Sequence, residues 1–187
     1  MKYLIVGLGN IGPEYTDTRH NAGFMMVDAL AESARITFES KRYGFVGGMV
    51  LKGRMLILLK PSTYVNLSGR AVHYWLKKEK IPIENLLVVL DDIALPFGTL
   101  RLRSRGGDGG HNGLIHINQI LGTQNYARLR FGIGSEFSRG TQVNHVLGTF
   151  TEEEEEQLPA QLKLTSDVIR NFVLLGIERT MNHFNSQ

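Results

Sequence analysis

The run Leu86-Leu87-Val88-Val89-Leu90 contains no polar side chain and stops abruptly at Asp91-Asp92. A strand with one wet face alternates apolar and polar residues. An unbroken run reads as a strand covered on both faces. Helices supply such cover when strand and helix patterns alternate along a chain, and here they alternate from end to end. Residues 2–6 read as a first strand. Residues 21–34 read as a helix with Phe24, Val27, Leu30 and Ala31 on one face. Residues 36–38 suggest a short strand. Residues 43–51 and 55–59 are strands joined by a hairpin turn at Lys52-Gly53-Arg54. Pro61 stops the second of these, and Ser62 or Thr63 is placed to cap a helix carrying Val72, Trp75 and Leu76 to about Lys78.

Beyond the apolar run, residues 99–103 and 128–133 are strands whose arginines alternate onto one face. Residues 104–110 hold four glycines and read as irregular. Residues 111–121 are a helix, and 136–149 are loop-like. Thr151 precedes five glutamates, an N-cap followed by acids suited to the positive end of a helix dipole. That helix continues past Pro159. With 187 residues the chain has length enough for one domain with a full core. The expected architecture is a single α/β domain spanning 1–187, a three-layer sandwich around a twisted, mixed, mostly parallel sheet. It includes a mobile loop near 137–147 and a C-terminal helix from about 151.

Gly7-Leu8-Gly9-Asn10-Ile11-Gly12 fits the dinucleotide-binding pattern G-x-G-x-x-G, which would make the chain a nucleotide-dependent oxidoreductase. That pattern needs a helix opening at the glycines. Here Pro13 and a polar loop intervene and helical periodicity begins only near Asn21, so the glycines read as a sharp turn at a strand end. No apolar run approaches the roughly 20 residues of a membrane helix, the N-terminus lacks a signal-peptide pattern, and there is no cysteine. Together these point to a cytoplasmic protein. Charge is uneven: residues 1–150 hold 18 Lys and Arg against 11 Asp and Glu, while residues 151–187 hold 3 against 7. A basic body suggests a polyanionic partner, the alternative being a solvated surface without one.

In open α/β sheets, sites form beyond the C-terminal ends of strands. Asn10, Asn66 and Asp91 each follow a strand, and His20 and Asn112 start helices that could face the same crevice. An imidazole beside a buried carboxylate is a general-base pair. With no cysteine and no G-x-S-x-G serine, the nucleophile is water activated by His20. The amides of Asn10, Asn66 and Asn112 suit peptide binding and oxyanion stabilisation, so the set points to ester or amide hydrolysis. Taken singly the residues have plainer readings: His20 as a helix cap, Asp91-Asp92 as a turn, residues 106–113 as a flexible loop or a phosphate cradle. His111 and His116 fit neither common helical metal spacing, and H-E-x-x-H is missing, so no metal or other cofactor is expected.

Four segments, Gly7-Leu8-Gly9-Asn10-x-Gly12, Tyr15-x-x-Thr18-Arg19-His20-Asn21-Ala22-Gly23, Thr63-Tyr64-Val65-Asn66-Leu67-Ser68-Gly69 and Gly106-Gly107-x-Gly109-Gly110-His111-Asn112-Gly113-Leu114, resemble the bacterial peptidyl-tRNA hydrolase family. Arg128-Leu129-Arg130-x-Gly132-Ile133-Gly134 and Val146-Leu147-Gly148 extend the likeness over nearly the whole chain. The resemblance implies a monomeric, metal-independent esterase that releases peptide from the 3′ end of tRNA, its partner being the acceptor stem and 3′ end of peptidyl-tRNA. By position it makes His20 the general base, Asp91 its orienting acid, and Asn10 the group that distinguishes N-blocked substrates. Asn66 and Asn112 hold the peptide or the attacking water, and Tyr15 and Tyr64 line the substrate's 3′ end. Arg103 and Arg130 match a phosphate clamp, with Arg101, Arg105 and Arg128 as unranked neighbours. Val65, Asp108 and the segment 137–145 depart from the family pattern. The rival on the same fold is a non-catalytic RNA-binding or splicing factor, which would not need Asn10, His20, Asp91 and Asn112 together.

Overall fold

Side chains along strand β1 (Lys2–Gly7) point alternately to two sides: Tyr3 and Ile5 enter one apolar core, Leu4 and Val6 the other. The computed structural model describes residues 1–185. After β1 come two 3-10 turns, Pro13–Tyr15 and Arg19–Asn21, and then helix α1 (Ala22–Ser33). A short strand β2 (Glu39–Lys41) leads into the hairpin of β3 (Gly44–Leu51) and β4 (Arg54–Pro61). Leu51 faces Arg54, so Lys52-Gly53 alone make the turn, both at positive φ (46° and 80°). That backbone suits the twist of a two-residue hairpin. A 3-10 turn, Val65–Leu67, opens α2 (Ser68–Glu79). Then follow β5 (Leu86–Asp92), β6 (Leu100–Arg103), α3 (Asn112–Leu121) and β7 (Ala127–Gly132). The chain ends in α4 (Gln142–Val146), α5 (Glu152–Leu175) and α6 (Ile177–Phe184).

The seven strands form one sheet in the order β2-β3-β4-β1-β5-β7-β6. At its centre β4, β1, β5 and β7 run parallel, while β3 and β6 run against their neighbours. Helices α1 and α5 close one face and α2 and α3 the other, giving three layers. In β5, Leu87 and Val89 enter the first core and Leu86, Val88 and Leu90 the second, which is why its apolar run is unbroken. Each such side chain contributes about 1.5–3 kcal/mol on burial. The four parallel strands all end on one edge of the molecule, where the chain of β5 passes into Asp91. At the lateral edge, β6 is covered by Asn185. Its Nδ2 donates to the Leu102 carbonyl at 2.8 Å, and the Leu102 N–H donates to its Oδ1 at 3.0 Å, standing in for the missing strand. No described helix is long and apolar enough to cross a membrane.

Several local expectations need correction. The glycines after β1 serve close approach more than turning. A Cβ on Gly7 would lie 2.3 Å from the Gly23 carbonyl oxygen, and one on Gly23 would lie 2.5 Å from the Leu8 backbone. Only Gly12 needs a positive φ, 115°. The small residues let α1 sit directly on β1, which carries the His20 turn down onto the strand ends. On α1 the buried stripe is Met26, Val27, Leu30 and Ala31, with Phe24 half-buried outside it. The short strand lies at β2, not at 36–38. Neither Ser62 nor Thr63 caps α2, because the 3-10 turn intervenes and the helix has no side-chain cap. Residues 136–149 contain α4, and α6 is a separate helix beyond the one expected from 151. The start of α5 has the expected form: Thr151 and Glu154 make a reciprocal capping box.

Candidate active site

Asp91, next to last in β5, is 3% exposed and uses both carboxylate oxygens. Oδ2 accepts from His20 Nδ1 at 2.8 Å and Oδ1 from His111 Nε2 at 2.8 Å. His20 arrives from the turn before α1, and His111 is the residue before α3. The two imidazoles have different freedom. His111 Nδ1 accepts from the Gly113 N–H at 3.1 Å and so caps α3. That bond requires an unprotonated Nδ1 and leaves His111 with its proton on Nε2 and no nitrogen to spare. For His20 the proton shared with Asp91 sits on Nδ1, which leaves Nε2 as a free base. His20 is therefore not a helix cap.

Burial alone would raise the Asp91 carboxyl, but its interaction with His111, followed by that with His20, holds it well below the usual carboxylate range. For His20, burial alone would lower the imidazole; the hydrogen bond and charge of Asp91 outweigh it and set it above its ordinary 6.5. The carboxylate thus stays ionised, and its charge makes the adjoining imidazole a stronger base.

The glycine-rich loop that delivers His111 is held from below. Arg128 is fully buried and donates to the carbonyls of Gly107 at 3.0 Å and Gln124 at 2.9 Å, with its guanidinium 4.4 Å from the Tyr126 ring centroid. Arg130 donates to the same Gly107 carbonyl at 3.2 Å and lies 3.4 Å from Asp92 Oδ2. Asp108 shapes the loop tip, accepting from the Gly110 N–H at 2.8 Å. Of the arginine candidates, Arg128 is inaccessible and Arg101 is bonded to the Asn185 carbonyl. Arg103 is exposed on β6 and, among the described residues, bonds only its neighbour's carbonyl.

A cavity of about 120 Å³ opens beside the trio, lined among others by His20, Asp91, His111, Asn112, Arg130 and Val143. Asn10 does not line it. It lines a neighbouring cleft of about 320 Å³ with Phe24, Phe45 and Lys60. Asn21, directly after His20, clamps Asn10's main chain: Asn21 Oδ1 accepts from the Asn10 N–H at 2.8 Å and its Nδ2 donates to the Asn10 carbonyl at 2.9 Å. Asn10 Oδ1 accepts from the Val65 N–H at 2.9 Å, which ties it to the turn bearing Tyr64 and Asn66 and leaves its NH2 as the donor half. Tyr64 is 58% exposed and Asn66 is exposed, both on the turn after β4 and neither lining either cavity; Tyr15 is half-buried in the first 3-10 turn. Arg19 joins the far wall, donating to the His145 carbonyl at 3.2 Å and pairing with Glu154 at 3.1 Å. So Asn21 seats Asn10, and Arg19 ties the histidine turn to α4 and α5.

Sequence reasoning does not pair His111 with Asp91; the structure does. The available signal is the repeated His-Asn pair, His20-Asn21 and His111-Asn112, each at a helix start. His20, Asp91 and His111 also form the one group among the described residues whose donor atoms, all within 4.8 Å of one another, could hold a metal ion. The atoms are already bonded to one another, so an ion would have to break at least one of those bonds.

The sequence profile of the peptidyl-tRNA hydrolase family matches residues 4–187. The peptidyl-tRNA hydrolase of Bacteroides fragilis is 60% identical over 187 residues, 100% of both chains. That of Porphyromonas gingivalis is 60% identical over 185 residues, 99% of this chain and 100% of the relative. The crystal structure of peptidyl-tRNA hydrolase from Acinetobacter baumannii superposes with a TM-score of 0.92 at 36% identity, over 98% of this chain and 94% of that one. Likeness of this extent, running through the whole of both chains and carried on the same fold, means that this chain belongs to the peptidyl-tRNA hydrolase family.

Proposed function

We propose that the protein hydrolyses the ester joining a peptide, or an N-blocked amino acid, to the 3′ end of tRNA. The observation that carries this reading is the His20–Asp91 bond of 2.8 Å, with His20 Nε2 left over as base beside a cavity. Water is deprotonated by Nε2 as it attacks the ester carbonyl, and the imidazolium formed is stabilised by the ionised Asp91; it then returns the proton to the 3′ oxygen of the tRNA as the ester C–O bond breaks, leaving the peptide's carboxyl group. The NH2 of Asn10 contacts the substrate's amide and the developing oxyanion. Asn66 and Asn112 hold the peptide or the attacking water, and Tyr15 and Tyr64 flank the 3′ end. Arg103 and Arg130 bind an acceptor-stem phosphate, a contact that positions the tRNA without reading its sequence. The protein acts as a monomer in the cytoplasm, recycling tRNA from stalled translation products.

A non-catalytic RNA-binding role is not favoured, because it gives no use to a buried carboxylate shared between two imidazoles. In a deacylation assay the protein should release the acyl group from N-acetyl-aminoacyl-tRNA and leave free aminoacyl-tRNA largely intact. His20→Ala should abolish turnover and retain tRNA binding. Wild-type protein that binds tRNA and releases nothing would overturn the reading.

A further inference from the structure

On α2, Arg70, Tyr74 and Lys77 recur at helical spacing and so share one face, flanked by His73 and Lys78. Arg42 and Tyr43, at the β2–β3 turn, fold over this face. Arg42, Tyr43, Arg70, His73, Tyr74, Lys77, Lys78 and Ile120 together line a shallow open concavity that contains no carboxylate. Cations and rings interleave. The Arg42 guanidinium lies 5.2 Å from the Tyr43 ring centroid and 5.1 Å from that of Tyr74, and Lys78 Nζ lies 4.8 Å from that of Trp75. The Trp75 indole N–H donates to the Arg42 carbonyl at 2.9 Å, which holds the arginine over the helix.

One feature sets this surface apart from an ordinary solvated helix. None of Arg42, Arg70, Lys77 and Lys78 is in an ion pair among the described residues. The one acid on α2, Glu79, is paired with Lys2 at 3.0 Å. Tyr43 is placed by its turn: Lys41 faces Gly44, so Arg42 and Tyr43 are the two loop residues of the β2–β3 hairpin, and Tyr43 adopts φ 64° there.

We propose that this basic, aromatic face of α2 is a second contact for the substrate's RNA, taking backbone phosphates on Arg70, Lys77 and Arg42 and a base or ribose against Tyr74. Interleaved cations and rings suit a phosphodiester chain, because the charges follow its backbone and the rings accept any base. The face begins close to the turn that Asn10 is tied to: Arg70 is four residues beyond Asn66. It runs about 10 Å along the helix from Arg70 to Lys77. It lies on the opposite side of the sheet centre from Arg103 and Arg130, since β3 and β4 stand on one side of β1 and β7 and β6 on the other. The RNA is therefore held on both flanks of the catalytic cleft.

The inference rests on the proposed hydrolase activity, and its test separates the two. The variant Arg70→Gln/Lys77→Gln changes two exposed side chains. With an N-acetyl-aminoacyl ester of full-length tRNA, KM should rise several-fold, and the slope of log(1/KM) against log salt should shallow by about 0.7–0.9 for each phosphate no longer neutralised, roughly 1.5 in all. With the same acyl group on a CCA trinucleotide, kcat/KM should match the parent. Tyr74→Leu should raise KM for full-length tRNA with the salt slope unchanged. An unaltered KM and slope for full-length tRNA in the double variant overturns the proposal, even if the variant binds unrelated RNA more weakly. Equal losses on the trinucleotide overturn it too, since the effect would then be on the cleft. Were the parent to hydrolyse neither ester, the activity reading would fail, and filter binding of deacylated tRNA by parent and double variant would still decide the RNA contact.

Discussion

Replacing Asp91 by asparagine changes one atom of the carboxylate and should disable His20 while sparing His111. The reason lies in the hydrogen-bond directions. His111 Nδ1 is held by the Gly113 N–H, so His111 must keep its proton on Nε2 and must find an acceptor there. The substituted amide can offer only one oxygen, and His111 takes it. The amide NH2 is left facing His20 Nδ1 across 2.8 Å, the distance that now separates Nδ1 from Oδ2. Two donors cannot face each other, so His20 moves its proton to Nε2, the nitrogen that should attack water's proton. The base is then blocked in its ground state, and the charge that steadied the imidazolium is gone. General-base catalysis contributes about 10²- to 10⁴-fold, so kcat should fall by that range, roughly 2.7–5.4 kcal/mol in barrier.

The pH profile carries the sharper test. Asp91 is what holds His20 above 6.5 against the opposing effect of burial. In wild type the acidic limb of kcat/KM should therefore lie above 6.5, with activity lost as pH falls through it. In Asp91→Asn only burial remains, and the limb of the residual activity should move below 6.5. Deacylation of N-acetyl-aminoacyl-tRNA from roughly pH 5 to 9 reads both quantities. Because His20 and Asp91 are coupled, the limb belongs to the pair and not to one ring alone. A folded variant whose limb stays where the wild type's lies would refute the argument, as would a wild-type limb below 6.5.

Stability should follow the same charges. Asp91's depressed pKa contributes stability above its unfolded value, which is lost as pH falls through the folded one. His20's raised pKa contributes stability below its unfolded value, which is lost as pH rises through the folded one. Asp91→Asn should thus cost most between about pH 4 and 6.5, and melts at pH 5 and 8 would expose a loss of the opposite ordering. His111→Ala removes the α3 cap and orphans one Asp91 oxygen, so denaturant titration should show about 2–4 kcal/mol lost; a neutral result would mean that the site does not need the second imidazole. Arg128→Met leaves the Gly107 and Gln124 carbonyls short of a charged donor and should cost about 3 kcal/mol or more. It should also lower kcat through the loop that carries His111, whereas an unchanged melt would sink that account of the loop. Gly23→Ala puts a methyl 2.5 Å from the backbone of Leu8 and Val89. It should destabilise by about 1–3 kcal/mol, and calorimetry showing no loss would mean that α1 can lift from β1 freely.

What the sequence made legible was set by local pattern. The double-sided burial of β5 is written in its apolar run, and Asp91 at the end of that run is placed by the strand itself. His20 and Asn10 follow from where the first strand stops and the next helix starts. The pairing of His111 with Asp91 was not legible in the same way, because it depends on how the glycine-rich loop before His111 folds back onto the end of β5, which no local pattern records. Arg128 and Arg130 show the limit of alternation. They stand on one face of β7, two residues apart, and the pattern treats them alike. What separates them is the glycine loop folding over Arg128, a tertiary event that buries one guanidinium fully and leaves the other at a cavity wall. Helix α6 could have been read from Gly176 followed by Ile177, Met181 and Phe184 at helical spacing, all of which pack on the first core.

The same tertiary constraints explain why the two His-Asn pairs do different work. In the second pair, the histidine is spent on structure: one nitrogen caps a helix, the other anchors Asp91, and Asn112 is left exposed at the cavity. In the first pair the roles reverse. Asn21 is buried and spent on Asn10's main chain, while His20 keeps a nitrogen. Each pair therefore yields one fixed side chain and one available one. Most of the polar groups around Asp91 are saturated by neighbours, and those left over, His20 Nε2 and the amide groups of Asn10 and Asn112, are a base and neutral donors. A site built this way has little reorganisation to undergo when charge develops on a carbonyl oxygen. That rigidity requires His111, Asn21 and Arg128 as much as it requires His20, and only His20 among those four is left with a nitrogen for the reaction.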